Sequence, residues 1–356
     1  MRKLAPEQYA LAQALFAELA AYHFSVGAVL AGTARGEIWV DDPVRPRVGF
    51  AITTEGDYLT GDVGQESSYA GLKEIIPHDA YLVVCPDGWK DVLDRIWNNR
   101  FARRHSRRNF RFQQPRISDW KSRVPPGFQL VAVDRDLLRR TELRNYQQVA
   151  SRVDEWYSTD YFLQHGFGYC LLHDDTIVSR CIADCVVDNK CEMGVGTDMN
   201  YRQRGLATAV VAATVDHCLA RGFTDIGWHC LTSNAGSIAL AEKVGFAGIK
   251  DYCAYSSELP SENTSDLTPA EYGDWAEHYE RASESNLRYA FYAAGAWSLA
   301  GSASQALANL QRLVDGDWKG RPEWLEDNWM FMSIRDMPEF KAVLAEMRAR
   351  SPGEAD

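Results

Sequence analysis

The sequence predicts an α/β (α+β) protein in which a mixed, mostly antiparallel sheet is flanked by helices and followed by an all-helical region. The first observation is a set of three strand-like runs, Gly168–His173, Thr176–Val187 and Cys191–Thr197, joined by short turns rich in Asp and Asn. The second is a long apolar-periodic segment from Leu206 to Leu219, which is typical of a helix. The third is the change to a helical composition after Thr268.

Shifts in composition along the 356 residues predict three domains joined by two linkers, with each domain large enough to bury a core. The first linker contains Pro125 and Pro126, and the second is a polar stretch rich in Ser and Thr. The predicted boundaries are an N-terminal α/β domain at 1–115, a linker at 116–127, a central domain at 128–260, a linker at 261–267 and a helical domain at 268–356.

Apolar periodicity and turn residues place the elements of the first two domains. The N-terminal pattern is interrupted by Glu7, Gln8 and Gln13, which favours an amphipathic helix over a signal peptide. The predicted helices are Pro6–Leu30, Trp89–Arg104 and Arg135–Tyr157, and the predicted strands outside the central run are Glu37–Asp41, Val48–Thr54, Tyr58–Gly61, Phe128–Asp134, Asp225–Leu231 and Ala247–Ser256.

The helical domain begins with a strong start signal, in which Thr268 caps the helix, Pro269 occupies the first turn and Glu271 follows three residues after the cap. The segment beyond it resembles one tetratricopeptide-type repeat with Gly301 at the turn, and a generic helical extension is the alternative. Because one repeat cannot bury its own apolar face, we expect this domain to pack against the central domain or against a second protomer.

Composition and charge exclude several classes of function. The net charge of −11 argues against general nucleic-acid binding and suits a cationic small molecule as partner. No apolar run reaches the roughly 18 residues of a membrane span, so we expect no membrane partner and a cytoplasmic location. The eight cysteines contain no C-x-x-C pair and lie mostly in apolar runs, which predicts reduced, buried thiols and no metal.

One segment is strongly basic, in contrast to the acidic composition of the whole chain. It contains His105 and six arginines, Arg100, Arg103, Arg104, Arg107, Arg108 and Arg111. A phosphate-binding patch is one interpretation. A solvated helix end that leads into a linker is the interpretation we prefer, because runs of like charge are usually solvated.

The stretch from Glu192 to Phe246 carries the strongest signal for a binding site. A short apolar strand leads through a turn with Gly205 into the long helix, and the first N–H groups of a helix bind anions well. Arg202 and Arg204 add positive charge, and the small residues Gly205 and Ala207 leave room for a pyrophosphate. The sequence lacks G-x-x-x-x-G-K-[ST] and G-x-G-x-x-G here, which argues against nucleotide hydrolysis and dinucleotide binding.

Two segments in register resemble the GNAT family of N-acetyltransferases. Arg202, Gly205 and Ala207 match the family's acyl-CoA loop Q/R-x-x-G-x-G/A, and the segment from Asn234 to Phe246 is similar to its later N-x-x-[AS]-x-x-L-Y-E-K-x-G-F pattern. The resemblance implies a GNAT fold over about 128–258. It also implies an acyl-CoA-dependent N-acetyltransferase with acetyl-CoA as co-substrate and no metal.

The N-terminal domain resembles the corresponding part of zwittermicin A resistance-type acetyltransferases, which implies a role in antibiotic resistance. A degenerate GNAT-like domain is one interpretation of this part of the chain. It contains no R-x-x-G-x-A loop of its own, so a structural or substrate-shaping role is expected.

The resemblance also assigns residues to acetyl-CoA. The backbone around Val195 and Thr197 would pair with the pantetheine arm like an added strand, and the N–H groups from Gly205 to Thr208 would hold the pyrophosphate. For each residue a plain turn or helix cap is the alternative. The full set is Val195, Thr197, Arg202, Gln203, Arg204, Gly205, Leu206, Ala207, Thr208, Asn234 and Ser237.

Assignment of the acid and base is more open. Glu192 lies where family members often carry a glutamate that deprotonates the amine, with Asp184 and His229 as alternates and an ordinary strand-end charge as the simpler reading. The tyrosine that protonates the leaving thiolate in the family is replaced by Ala241. Two nearby tyrosines, Tyr252 and Tyr255, or a water molecule could replace it.

The acceptor is expected to be a primary amine of a small cationic molecule, such as an amino-polyol or an antibiotic-like compound. Trp156, Tyr157 and Tyr161, with acidic neighbours, could form a wall that favours cations, and a packed helix end is the alternative. Two other functions stay open: a peptide or protein N-acetyltransferase that recruits its acceptor through the helical domain, and a non-catalytic acyl-CoA sensor. A homodimer is a candidate assembly.

Overall fold

The computed structural model describes residues 1–259, 267–316, 318–326 and 328–350, so the predicted linker at 261–267 lies outside the described residues except for Leu267. The described chain divides into two compact units. The first comprises Met1–Arg100 and Arg104–Ser256, and the second comprises Phe101–Arg103 with the described residues from Ser257 onward. The finer division into three domains stays a prediction.

The strands of the first unit form one twelve-stranded sheet. They are β1 Arg2–Lys3, β2 Gly36–Val40, β3 Val48–Thr53, β4 Gly56–Gly61, β5 Leu82–Cys85, β6 Arg103–Phe112, β7 Phe128–Ala132, β8 Gly168–His173, β9 Thr176–Val187, β10 Lys190–Thr197, β11 Asp225–Leu231 and β12 Phe246–Ser256. The β4–β5 and β10–β11 pairs are parallel, whereas β1–β2, β2–β3, β3–β4, β7–β8, β8–β9, β9–β10, β6–β11 and β5–β12 are antiparallel. The predicted mixed, mostly antiparallel sheet is confirmed.

The order of the strands shows that the sheet consists of two similar halves. It runs β1-β2-β3-β4-β5-β12-β6-β11-β10-β9-β8-β7, so β1 to β5 on one side correspond to β7 to β11 on the other. The last strand of each half lies beside the other half: β6 pairs with β11, and β12 pairs with β5. We call β1 to β6 with their helices the first half and β7 to β12 with theirs the second half. Because the halves exchange strands, they share one continuous sheet.

The helices differ from the predicted ones mainly where a long pattern is broken. Instead of one helix at Pro6–Leu30, the backbone is extended at His23, and instead of one helix at Arg135–Tyr157, a left-handed residue, Asn145, precedes a separate helix. The helices are α1 Gln13–Tyr22, α2 Phe24–Leu30, α3 Tyr69–Ile75, α4 Leu93–Ile96, α5 Arg135–Leu138, α6 Gln147–Asp154, α7 Thr159–His165, α8 Leu206–Ala220, α9 Ala235–Val244, α10 Pro269–Ser283, α11 Tyr289–Leu299, α12 Ala303–Asp315, α13 Glu323–Glu326 and α14 Pro338–Arg350.

The arginine-rich segment is a central strand, and our interpretation of it as a solvated helix end is wrong. It forms β6 between β11 and β12. Its arginines are accommodated because neighbouring strands supply partners: Arg108 makes two hydrogen bonds to Asp251, at 2.6 and 2.9 Å, and Arg111 lies 3.0 Å from Asp225. His105 and Asn109 are buried on the same strand.

The largest core of the first unit is built around α8, which is buried nearly all round. A helix that is apolar on every side belongs in an interior rather than on a surface. It packs on β8, β9 and β10 through residues such as Ala209, Val210 and Val211. This packing holds the N-terminal end of α8 in a fixed position beside the end of β10.

The second unit has its own core, formed by α10, α11, α12 and α14. Ala290, Ala293 and Ala294 are fully buried, which lets neighbouring helices approach closely. Large side chains such as Tyr289 and Phe331 are buried inside this unit. The unit therefore buries much of its aromatic face itself, and the expectation that another body packs against it stays a prediction.

Candidate functional site

The loop between β10 and α8 turns through two residues with left-handed backbone. Gln203 has a φ of 60°, which is uncommon for a residue with a side chain, and Gly205 has a φ of 78°. A Cβ atom added to Gly205 would meet no atom within 4 Å, so the space in front of the helix is open. Arg202 and Arg204 are exposed beside it. The R-x-x-G-x-A segment thus forms an open, positively charged turn.

Behind this turn stands the N-terminal end of α8, a helix of 15 residues. Leu206 and Thr208 are buried and fix the first turn of the helix in the core. The N–H groups of Thr208 and Ala209 donate to the carbonyl oxygen of Gly205, at 3.1 and 3.3 Å. The N–H groups at the very start of a helix have no intrahelical acceptor. With the helix dipole and two arginines, they suit a pyrophosphate.

The strands on either side of this helix separate. β10 and β11 pair only at Lys190–Asp225, Cys191–Ile226 and Glu192–Gly227 within the described residues, and a bulge follows at Glu192. Beyond it, Val195 and Thr197 pair with β9 alone. The other edge of β10 is therefore open to an extended arm that adds to it like a strand.

Asn234 and Ser237 serve the local structure at the start of α9. The side chain of Asn234 accepts a hydrogen bond from the Ser237 N–H at 2.9 Å, which caps the helix. The Ser237 hydroxyl in turn accepts from the Trp228 indole at 3.0 Å. Their assignment to acetyl-CoA stays a prediction, and the cap explains their presence on its own.

Glu192 lies at the point where β10 and β11 separate, and its carboxylate is buried. Its Oε1 accepts a hydrogen bond from the backbone N–H of Phe24 at 2.9 Å and lies 3.0 Å from Nε2 of His229. Burial would raise the pKa of Glu192, but His229, the Phe24 N–H and Arg111 together hold it below its ordinary value. The carboxylate is therefore ionised at neutral pH and can accept a proton.

His229 connects Glu192 to two further polar groups. Its Nδ1 lies 2.9 Å from the hydroxyl of Tyr252, and its Nε2 lies 2.8 Å from the amide nitrogen of Asn109. His23 stacks on the His229 ring at a centroid distance of 5.0 Å. Burial, together with the nearby His229, Arg107 and Arg111, holds the pKa of His23 well below its ordinary value, so this ring is neutral. The structure thus brings together Glu192, His229 and Tyr252, three of the five candidate acid–base residues.

Asp184 lies nearby on β9 but has a different partner. It is the extra residue of the bulge opposite Glu192 and Met193, and its carboxylate lies 2.5 Å from Nη2 of Arg152. Burial raises its pKa, and Arg152 opposes the shift. Asp184 is therefore held in an ion pair, which makes it less available than Glu192 as a base.

The other predicted site residues lie elsewhere. Tyr255 neighbours Arg104 rather than His229. Trp156 is buried against Phe162, and the Tyr157 hydroxyl donates to the carbonyl oxygen of Ala34. Tyr161 packs against both aromatic neighbours, Trp156 and Tyr157. These aromatic residues form a packed helix end.

Sequence reasoning missed the residues that the first half contributes to this site. His23 and Phe24 stand at the break between α1 and α2, Asn109 lies on the unpredicted strand β6, and Glu55 follows β3. Each is far from Glu192 in sequence. The His23 break carries no Gly or Pro, so a local signal was lacking.

Within the described ranges, no group of three or more His, Cys, Asp or Glu side chains is placed to hold a metal ion. All eight cysteines are free thiols. No helix in the described part of the chain is long and apolar enough to cross a membrane.

Comparison with known proteins gives consistent results. Residues 13–255 match the family model for GNAT acetyltransferases. The chain is 28% identical over 264 residues to the Bacillus subtilis (strain 168) protein named uncharacterized N-acetyltransferase YdfB, covering 72% of this chain and 98% of the relative. It is 27% identical over 115 residues to the ribosomal-protein-bS18-alanine N-acetyltransferase of Salmonella typhimurium (strain LT2), covering 31% of this chain and 78% of the relative. A solved GCN5-related N-acetyltransferase-like protein from Streptococcus suis is similar with a TM-score of 0.58 and 25% identity, covering 70% of this chain and 98% of that one.

Proposed function

The chain belongs to the GNAT acetyltransferase family and is an acyl-CoA-dependent N-acetyltransferase, and on that premise we propose that it acetylates a primary amine of a small cationic molecule. The acetyl group comes from acetyl-CoA, whose pyrophosphate lies at the Arg202–Thr208 turn. Glu192 takes the proton from the amine. The net charge of −11 supports a cationic acceptor.

The observation that carries this proposal is the position of Glu192. The buried carboxylate stands at the last residue pair before β10 and β11 separate, and the separated strands leave an open edge for the pantetheine arm. A thioester carried by that arm would end beside the carboxylate. An amine that attacks the thioester there would have a proton acceptor within reach.

The reaction then follows from these groups. The amine nitrogen attacks the thioester carbonyl carbon, a C–N bond forms, and the nitrogen loses a proton to Glu192. The C–S bond breaks as the tetrahedral intermediate collapses, and CoA leaves as a thiolate. The hydrogen bonds from the Phe24 N–H and His229 keep the Glu192 carboxylate oriented and ionised before attack.

Tyr252 is not required as the donor of the proton that the leaving thiolate takes up. Burial raises the pKa of Tyr252, so its hydroxyl is a weak acid toward a thiolate of ordinary pKa, about 8.5. Ala241, which replaces the family's tyrosine, is buried in the core. A thiolate of that pKa is stable enough to leave without a protein acid, so we propose that it departs unprotonated and takes up a proton from bulk solvent after release. Tyr252 orients His229 through its 2.9 Å contact.

The direct test is acetyl-CoA turnover with a panel of small amines and basic peptides, measured as release of free thiol. The proposal expects turnover with small polyamines or amino-polyols and slower turnover with peptides. Thiol release that does not depend on any added amine would contradict it. Mass spectrometry of the product identifies the acetylated amine.

A second candidate is acetylation of a peptide or protein. It is favoured by the likeness to the Salmonella enzyme, whose name states that it acts on an alanine of a ribosomal protein. The helical second unit, which lies beyond the family match, would recruit the acceptor. Preference for basic peptides in the same panel, lost when the chain is cut after Glu258, would select this candidate.

A further inference from the structure

A charged cluster that has no part in the proposed acetyl transfer joins the two halves of the sheet. Arg152 of α6 bonds three carboxylates: its Nη2 lies 2.6 Å from Glu55 and 2.5 Å from Asp184, and its Nη1 lies 2.8 Å from Glu155. Glu55 stands in the turn between β3 and β4 of the first half, whereas the others belong to the second half. The charge of Glu192 acts on both Glu55 and Asp184, so the cluster adjoins the proposed base.

Two glycines of β10 let this cluster reach the open edge of the strand. A Cβ atom at Gly194 would lie 2.6 Å from Oδ1 of Asp184, and one at Gly196 would lie 3.2 Å from Cζ of Arg180. Both side chains therefore lie across β10. They do so beyond the last β10–β11 pair, where the strand is open toward the proposed thioester.

Two buried polar atoms of the cluster have no hydrogen-bond partner among the described residues: Oε2 of Glu155 and Nε of Arg180. Arg180 makes no ion pair within the described ranges, and burial lowers its pKa, although the residue as a whole is only partly buried. A buried N–H donor without an acceptor is costly, so the Nε of Arg180 calls for an explanation. The cluster thus offers an unsatisfied acceptor and an unsatisfied donor.

The charges of the cluster also exceed what Arg152 can neutralise. Burial raises the pKa of Glu155 to about 7, against the opposing effect of Arg152. Burial and Asp184 raise the pKa of Glu55 well above its ordinary value. Both carboxyls therefore hold protons near neutral pH that a bound ammonium group would displace.

We propose that this cluster is the acceptor subsite, in which Glu55 and Glu155 bind the ammonium group of the acceptor and Arg180 binds a carboxylate or carbonyl oxygen of the same molecule. Within the proposed class of small cationic amines, this subsite favours an amino acid or amino acid amide over a simple polyamine. The inference rests on the proposed acetyl transfer and names its substrate class. It also gives the first half a direct part in specificity, through Glu55.

The experiment compares three probes with one carbon skeleton: lysine, lysinamide and cadaverine. We expect wild-type kcat/KM to be at least about tenfold higher for lysine or lysinamide than for cadaverine, which lacks the oxygen. In Arg180→Gln this ratio should approach one, because kcat/KM should fall at least about tenfold more for lysine and lysinamide than for cadaverine. Arg180→Lys should keep part of the preference, and Glu55→Gln should raise the KM of all three probes.

The matched control is Arg139→Gln, which removes the same charge from an exposed side chain and should change no ratio. Calorimetry of lysinamide binding in two buffers of different ionisation enthalpy should show a net release of protons at pH 7. Equal kcat/KM for the three probes in the wild type, or an equal loss for all three in Arg180→Gln, would overturn the inference and leave amine acetylation intact. Binding without proton release would overturn it whether or not the probes react.

Discussion

The two halves of the sheet use the same strand–loop–helix–strand arrangement, but only the second half has a gap between its parallel strands that an extended ligand could enter. In the second half, the β10–β11 pairing stops at Glu192, and a turn with two exposed arginines leads into a helix of 15 residues. In the first half, β4 and β5 stay paired from Asp57–Leu82 to Thr60–Cys85, and α3 has 7 residues. The loop before α3 carries Asp62 and Glu66 instead of arginines.

This comparison shows what a binding site requires beyond the fold. Parallel pairing that continues along β4 and β5 leaves no gap for an extended arm, and acidic side chains repel a pyrophosphate. Asp62 is also used by the loop itself, since it accepts from the Gly64 N–H at 2.8 Å. We therefore expect acetyl-CoA to bind the second half alone, with the first half acting through His23, Phe24 and Glu55.

The largest expected effect is on chemistry in the second half. Glu192→Gln keeps the shape of the side chain but removes the base, and it should lower kcat by roughly 100-fold while acetyl-CoA affinity stays unchanged. Glu66→Gln makes the same change in the first-half loop, where the side chain is exposed, and should leave turnover as it is. An equal loss of kcat in both variants, or no loss of kcat in Glu192→Gln, would contradict the claim that the base lies in the second half.

The next effect is on binding of acetyl-CoA. Gly205→Val fills the open space at the helix start and strains the turn, so it should weaken acetyl-CoA binding by more than about tenfold, or about 1.4 kcal/mol. Gly222→Val is matched, because Gly222 follows the other end of α8, has a φ of 84° and also has no atom within 4 Å of an added Cβ. Calorimetry should show normal affinity in Gly222→Val. A similar loss in both variants would mean that backbone strain alone is responsible.

The smallest effect concerns Glu155, a member of the Arg152 cluster. The folded-state pKa of Glu155 is about 7, above the unfolded value, so its protonated form adds stability that is full below about pH 4.5 and is lost as the pH rises through 7. Thermal unfolding should therefore move down by a few degrees between pH 5.5 and 8, and Glu155→Gln should flatten this slope. Glu142→Gln, an exposed control, should keep the wild-type slope. A steeper slope in Glu155→Gln would contradict the sign.

The sequence predicts the second half well because its signals are local. The strands and helices around the loop lie at the predicted residues. Gly205 has the left-handed backbone that favours glycine. The first half was harder, since β6 contains five arginines, and the acidic partners of Arg108 and Arg111 are distant in sequence, at Asp251 and Asp225. A strand stabilised by such long-range partners carries no local signal of burial.

Prediction of the acid–base residues was limited in the same way, because some of their partners are distant in sequence. Glu192 and His229 could be named from their strands, but Asn109 reaches the site on the exchanged strand β6, and the Phe24 N–H comes from a helix of the first half. The resemblance to zwittermicin A resistance-type enzymes and the tetratricopeptide-like repeat both stay predictions. They concern the acceptor and the second unit, which lie outside the matched loop.

The most direct test of the central claim is the stoichiometry of acetyl-CoA binding, measured by calorimetry on the full chain. The asymmetry between the halves predicts one molecule bound per chain, with binding strongly weakened in Gly205→Val. Two molecules per chain would contradict the claim that the first half is closed. One molecule whose affinity is unchanged in a folded Gly205→Val variant would place the site away from the Arg202–Thr208 turn.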